Sequence, residues 1–157
     1  MVLKLLLIET DKSVSNGRLK LAMFPHFPNV NRESRLYAIG GMKENGNPSD
    51  AFHVLDMTRN KWMSEPPLNS SRYATTAFSV DDVVYAMGGR VGKLPSVACE
   101  SYDFREKRWN KLPDAPSKRV FVGNALDQKA RRIYVVGGLS HPASEGFSNE
   151  LQAFDIR

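Results

Sequence analysis

The sequence predicts an all-β fold made of stacked, repeated antiparallel sheets of four strands. Two observations carry that prediction. One run comes three times, as Arg35-Leu36-Tyr37-Ala38-Ile39-Gly40-Gly41, Val83-Val84-Tyr85-Ala86-Met87-Gly88-Gly89 and Arg132-Ile133-Tyr134-Val135-Val136-Gly137-Gly138. The glycine pairs follow each other at 48 and 49 residues. A fixed period of that size marks stacked supersecondary units. Each run is short, apolar and rich in β-branched or aromatic residues, which reads as a buried strand. A glycine pair at its end marks positive φ or close backbone approach. The second observation keeps the same beat. Leu55-Asp56 precedes Trp62 and Tyr102-Asp103 precedes Trp109, each Asp six residues before its Trp. Phe154-Asp155 begins a third such pair, whose Trp would fall at position 161, so the sequence is expected to stop inside a repeat.

Each element follows from local chemistry. Residues 1–34 read as a non-repeat leader, with Arg18–Phe24 as a first strand broken by Pro25 and Pro28. The first unit, 35–71, is partial. It has strands at Leu36–Ile39 and Phe52–Asp56 around a Gly/Asn/Pro loop, then a turn at Thr58–Lys61. An outer strand opens at Trp62 and ends at Pro66-Pro67, because proline donates no ladder hydrogen bond. The second unit, 72–117, is complete. Ala74–Val80 is a strand of small and β-branched residues and Asp81-Asp82 is a tight turn. Val83–Met87, Ala98–Tyr102 and Arg108–Lys111 follow. The third unit, 118–157, is incomplete, with strands at Val120–Leu126, Ile133–Val136 and Glu150–Asp155.

An apolar run, a double glycine, then an aromatic and a Trp with six residues between them: this pattern resembles the kelch repeat. Tyr102 and Trp109 fit it fully, while Leu55 and Phe154 stand in the usual Tyr place. The resemblance covers about 35–157. Through Tyr85-Ala86-Met87-Gly88-Gly89-Arg90 and Gly92-Lys93-Leu94-Pro95 the chain resembles kelch-only proteins of the kelch domain-containing protein 8 type, which carry no BTB domain. The resemblance implies a partial kelch-type β-propeller of antiparallel four-stranded blades, about two and a half of them. Gly40, Gly41, Gly88, Gly89, Gly137, Gly138, Tyr102, Trp62 and Trp109 are then structural repeat positions, with the tryptophans packed between blades. Too few blades to close a ring imply a fragment or truncated form, or self-association through unclosed blade edges.

Composition bounds the function. Hydrophobic residues make up 41% and aromatics 10% of the chain, as in a globular domain. The one cysteine, Cys99, excludes an internal disulfide and reads as a reduced, buried thiol of a cytoplasmic protein. The net charge of +5 is spread over turns and strand edges, which reads as a solvated face rather than a nucleic-acid footprint. Val2–Ile8 is too short to span a bilayer. His26, His53 and His141 lack metal-ligand spacing, and no P-loop or nucleophile elbow is present. Asp56, Asp103 and Asp155 recur at one place and read as turn residues. No catalytic residue, metal or cofactor is expected.

The expected role is a non-catalytic protein-interaction module. An enzyme on a propeller, such as an oxidase or a sugar-modifying enzyme, is the alternative, as is a truncated product without independent function. The resemblance implies that partners dock on loops gathered at one face. By motif position these are Arg90 after Gly-Gly, Tyr73 and Ala74 after Arg72, and Val120 and Phe121 after Arg119. Met42 and Leu139 hold the place of Arg90 in the other copies. Arg72 and Arg119 recur, which also fits a role in capping strand-end carbonyls. Lys93 and His141 share the loop class. A guanidinium suits carboxylates, so Arg90, Arg72 and Tyr73 are expected to contact an acidic or polar peptide.

Overall fold

The computed structural model describes residues 35–140 and 146–156, and every regular element in them is a strand. The predicted leader strand at Arg18–Phe24 lies outside these residues. The first sheet comprises β1 (Arg35–Ile39), β2 (Phe52–Asp56) and β3 (Lys61–Glu65), paired antiparallel in chain order. The second comprises β4 (Thr76–Val80), β5 (Val83–Met87), β8 (Cys99–Asp103) and β9 (Arg108–Leu112). Between β5 and β8 lies a two-stranded ribbon, β6 (Arg90–Val91) and β7 (Leu94–Pro95), which the sequence reading did not contain. The third sheet comprises β10 (Gly123–Asp127), β11 (Arg132–Val136) and β12 (Leu151–Asp155).

These sheets stack as in a partial β-propeller, and the core lies between them rather than inside any one. A first cluster joins Tyr37, Ile39, Phe52 and Val54 of the first sheet to Ala77, Val84, Ala86, Tyr102 and Trp109 of the second. A second joins Phe78, Met87 and Cys99 of the second sheet to Ile133 and Val135 of the third. The period-2 alternation of each strand sends one set of side chains to each neighbour. A single sheet has two apolar faces and cannot cover either alone, so burial drives the stacking.

Two expected strands begin later than the sequence implied. Ala74 (φ 52°) and Phe121 (φ 56°) sit in the left-handed region. Both turn the chain before β4 and β10 begin at Thr76 and Gly123. The glycine pairs do have positive φ, and Gly40 shows why. A Cβ there would overlap the carbonyl oxygen of Arg72, in the segment that leads into the next sheet. The matching Cβ at Gly88 would stand 3.4 Å from the Arg119 carbonyl, so the second junction is the looser of the two.

Trp109 fills the first junction as expected. Its ring centroid lies 5.2 Å from Phe52 and 5.3 Å from Tyr102, and its Nε1 donates to the Pro66 carbonyl at 2.9 Å. Trp62 holds the same place on β3, opposite Leu55, but is only half-buried and belongs to neither cluster.

Candidate functional site

The double-glycine end of the stack is built by backbone pairing between neighbouring units. Gly41 donates to the Arg72 carbonyl at 2.9 Å. Tyr73 and Arg90 exchange two backbone hydrogen bonds of 3.1 and 2.7 Å. Val120 and Leu139 do the same at 3.0 and 2.8 Å. The residue after each of the last two glycine pairs is thus stapled to the segment that enters a sheet. A serine closes each post-glycine loop: the N–H groups of Ser49, Ser96 and Ser148 donate to the carbonyls of Gly41, Gly89 and Gly138. Their hydroxyls accept from the N–H two residues on, at Ala51, Ala98 and Glu150. Serine hydroxyls commonly cap local backbone in this way. Sequence reasoning missed these serines, although each falls seven to ten residues after its glycine pair.

On this scaffold Arg90, Lys93, Tyr73, Ala74 and Phe121 come together. Tyr73 donates its hydroxyl to the Gly92 carbonyl at 2.8 Å. Arg90 donates from Nη2 to the Lys93 carbonyl at 3.2 Å, and its guanidinium carbon lies 6.0 Å from the Phe121 ring centroid. The Arg90 Nε is buried and has no hydrogen-bond partner. Phe121 is 59% exposed, held outward by its left-handed backbone. A non-glycine residue there stores strain of the order of 1–3 kcal/mol, a feature that concentrates at binding sites. Met42, Val91, Leu94 and Phe147, all from post-glycine loops, are also exposed. The result is an apolar rim carrying two cations, Arg90 and Lys93. His141 lies outside the described residues.

Two expected contacts do not reach this surface. Val120 is buried, its side chain turned into the stack. Arg72 is fully buried. Its Nη1 donates to the carbonyls of Gly88 and Ala98, and its Nη2 pairs with Glu100, itself buried. Burial lowers the Arg72 pKa from its ordinary value, and the Glu100 carboxylate pulls it back. Arg119 repeats the arrangement, with Nη1 bonded to the carbonyls of Gly137 and Glu150. Its carboxylate partner is Glu150 at 2.9 Å, which is exposed. Both arginines are internal clamps on strand-end carbonyls, the structural role their recurrence suggested.

The remaining candidates have plain roles. Asp56 accepts from the N–H groups of Thr58 and Arg59, and Asp103 from those of Arg105 and Glu106, so both carboxylates shape turns. Cys99 is buried and free, and burial pushes its thiol pKa up, which keeps it protonated and a poor nucleophile. Among the described residues, no three of His, Cys, Asp and Glu sit close enough to hold a metal. Among them, too, no helix is long and apolar enough to cross a membrane.

A family model of the kelch motif matches residues 26–69 and 71–116, more than half of the chain. The chain belongs to the kelch-repeat family. It is 33% identical over 73 residues to kelch domain-containing protein 8B of Bos taurus and of Homo sapiens, across 43% of this chain. It is 26% identical over 129 residues to kelch-like protein 40 of Xenopus laevis, across 80% of this chain. Kelch repeat and BTB domain-containing protein 2 of ectromelia virus is 24% identical over 106 residues, across 68% of this chain. In each case the match spans about a fifth of the relative's length. The kelch glycine pairs, Tyr102 and Trp109 therefore sit where their geometry requires them: at unit junctions and in the core.

Proposed function

We propose that this kelch chain is a non-catalytic protein-interaction module, and that it grips an acidic or polar peptide segment with the rim of its double-glycine end. Kelch-repeat proteins as a family mediate contacts between proteins, which supports the coarse reading. The observation that carries the finer one is Arg90, whose buried Nε lacks a partner while its guanidinium lies across the exposed Phe121 ring. A carboxylate from a partner would accept charge-assisted bonds from the outer nitrogens of that guanidinium. Lys93 adds a second charge, and Tyr73 and Phe121 supply aromatic surface of the kind that dominates binding energy. The protonated thiol of Cys99 suits a cytoplasmic setting.

The test is fluorescence anisotropy with a labelled peptide rich in Asp and Glu. Wild type should bind it in a salt-sensitive manner, and Arg90→Ala should weaken binding at least about tenfold, the loss of one charged hydrogen bond or more. Equal binding by both proteins removes Arg90 from the site.

A further inference from the structure

The double-glycine rim departs from the repeat at two places, and the two departures touch. Arg90 follows its glycine pair where Met42 and Leu139 follow theirs. Phe121 stands in Arg119-Val120-Phe121-Val122 where Ala74 stands in Arg72-Tyr73-Ala74-Thr75. Geometry matches the two segments. Tyr73 bridges to Arg90 as Val120 bridges to Leu139, and Ala74 (φ 52°) and Phe121 (φ 56°) share the left-handed backbone. The Arg90 guanidinium carbon lies 6.0 Å from the centroid of the Phe121 ring. Both residues belong to the junction of the second and third units, with described residues on either side.

The fold accounts for neither the ring nor the charge. Alanine serves the same turn in the second unit, so the turn needs no aromatic. The Phe121 side chain is 59% exposed and seals nothing. Arg72 and Arg119 are ion-paired with Glu100 and Glu150. Arg90 and Lys93 have no ion-pair partner among the described residues, and the ribbon β6–β7 that carries them holds no acid.

An exposed ring beside an unpaired cation is a two-part surface. The cation takes a carboxylate and the ring takes an apolar side chain. Their spacing fixes how a partner must carry the two. Along an extended segment side chains alternate in direction and each residue advances about 3.3 Å, so residues i and i+2 share a face about 6.6 Å apart. Residues i and i+1 point opposite ways. The 6.0 Å between the guanidinium and the ring suits the first arrangement and not the second.

We propose, on the footing that the rim is a peptide site, that Phe121 determines its specificity: the segment bound is extended and carries a bulky aliphatic residue two positions from a carboxylate. The carboxylate accepts from the outer nitrogens of Arg90, and the aliphatic side chain covers the Phe121 ring. Ala74 offers no such second contact at the junction of the first and second units.

Three fluorescein-labelled peptides with one central glutamate in a serine background test this. The first has leucine two residues to either side of the glutamate, the second has leucine directly on either side, and the third has no leucine. Anisotropy titration of the intact chain should give about tenfold tighter binding for the first than for the other two, the worth of one partly buried leucine. Phe121→Ala should erase that advantage and leave binding of the Asp- and Glu-rich peptide unchanged. Its thermal transition should be retained, since Ala74 fills the same place in the fold. Phe121→Leu should keep part of the advantage. Equal binding of the two leucine peptides, or an advantage that survives Phe121→Ala, overturns the proposal, while binding of the acid-rich peptide by wild type then leaves the rim standing as a peptide site. Failure of the wild type to bind the acid-rich peptide removes both.

Discussion

The two junctions of this stack come from one repeat and are filled differently. Between the first and second sheets, Phe52, Tyr102, Phe104 and Trp109 interlock with ring centroids 4.9 to 6.2 Å apart. Between the second and third, Cys99 replaces the phenylalanine, and a cleft of about 500 Å³ opens beside it. The clamps differ in the same sense. Arg72 and Glu100 are both buried, whereas Arg119 is buried against an exposed Glu150. The lesson is that glycine pairs and arginine clamps set the spacing of units, while the filling of a junction depends on the side chain at the Phe52/Cys99 place and on an outer strand such as β9 that brings a tryptophan to it.

Substitutions at matching places break that comparison most sharply. Trp109→Ala should cost about 3–5 kcal/mol, because it empties a filled core site and strands the Pro66 carbonyl. Cys99→Phe, which imports the first junction's residue into the second, should leave stability within about 1 kcal/mol of wild type, since a cleft is there to receive the ring. Denaturant melts followed by near-ultraviolet circular dichroism measure both. A cost below 1 kcal/mol for Trp109→Ala would show that the indole is not buried as described.

The clamps give the next contrast. Arg72→Met leaves Glu100 charged and buried without its partner, which costs about 3–5 kcal/mol. Arg119→Met leaves Glu150 in solvent and loses bonds to strand-end carbonyls and to the Ser117 and Ser148 hydroxyls, about 2 kcal/mol. Equal losses in denaturant melts would mean that the two junctions are clamped alike.

Alkaline pH sharpens the comparison with the smallest effect. Burial raises the phenol of Tyr102, and its hydrogen bond to the Glu65 carboxylate raises it further. Burial also raises the half-buried Tyr85 at the second junction. A folded-state pKa above the unfolded one stabilises the fold below the unfolded value and is lost as pH rises through the folded one. Stability should therefore fall as pH climbs beyond about 10, the ordinary tyrosine value. Tyr102→Phe should flatten that fall more than Tyr85→Phe, as read from melting temperature against pH.

Much of the architecture was legible because it rests on short-range signals. β2 and β5 have the bounds that apolar runs and turn residues imply, Phe52–Asp56 and Val83–Met87. The late starts of β4 and β10 were not legible. Ala74 and Phe121 have no local reason to be left-handed, since the stapling of Tyr73 to Arg90 and of Val120 to Leu139 acts across units. The site was legible in part. Arg90 stood out because it breaks the repeat, whereas Arg72 was placed on the surface because Glu100, 28 residues on, carries no mark of pairing with it. Val120 and Phe121 are neighbours with opposite fates, one buried and one exposed, which only the turn between them decides.

Amide hydrogen exchange tests the central claim most directly, by comparing β2 with β11, the middle strands of the first and third sheets. Each is hydrogen-bonded on both sides, so ladder position does not separate them. If the first junction is sealed by Trp109 and the second is open beside Cys99, Phe52–Asp56 will exchange markedly more slowly than Arg132–Val136. Equal protection, or slower exchange in Arg132–Val136, would contradict the account.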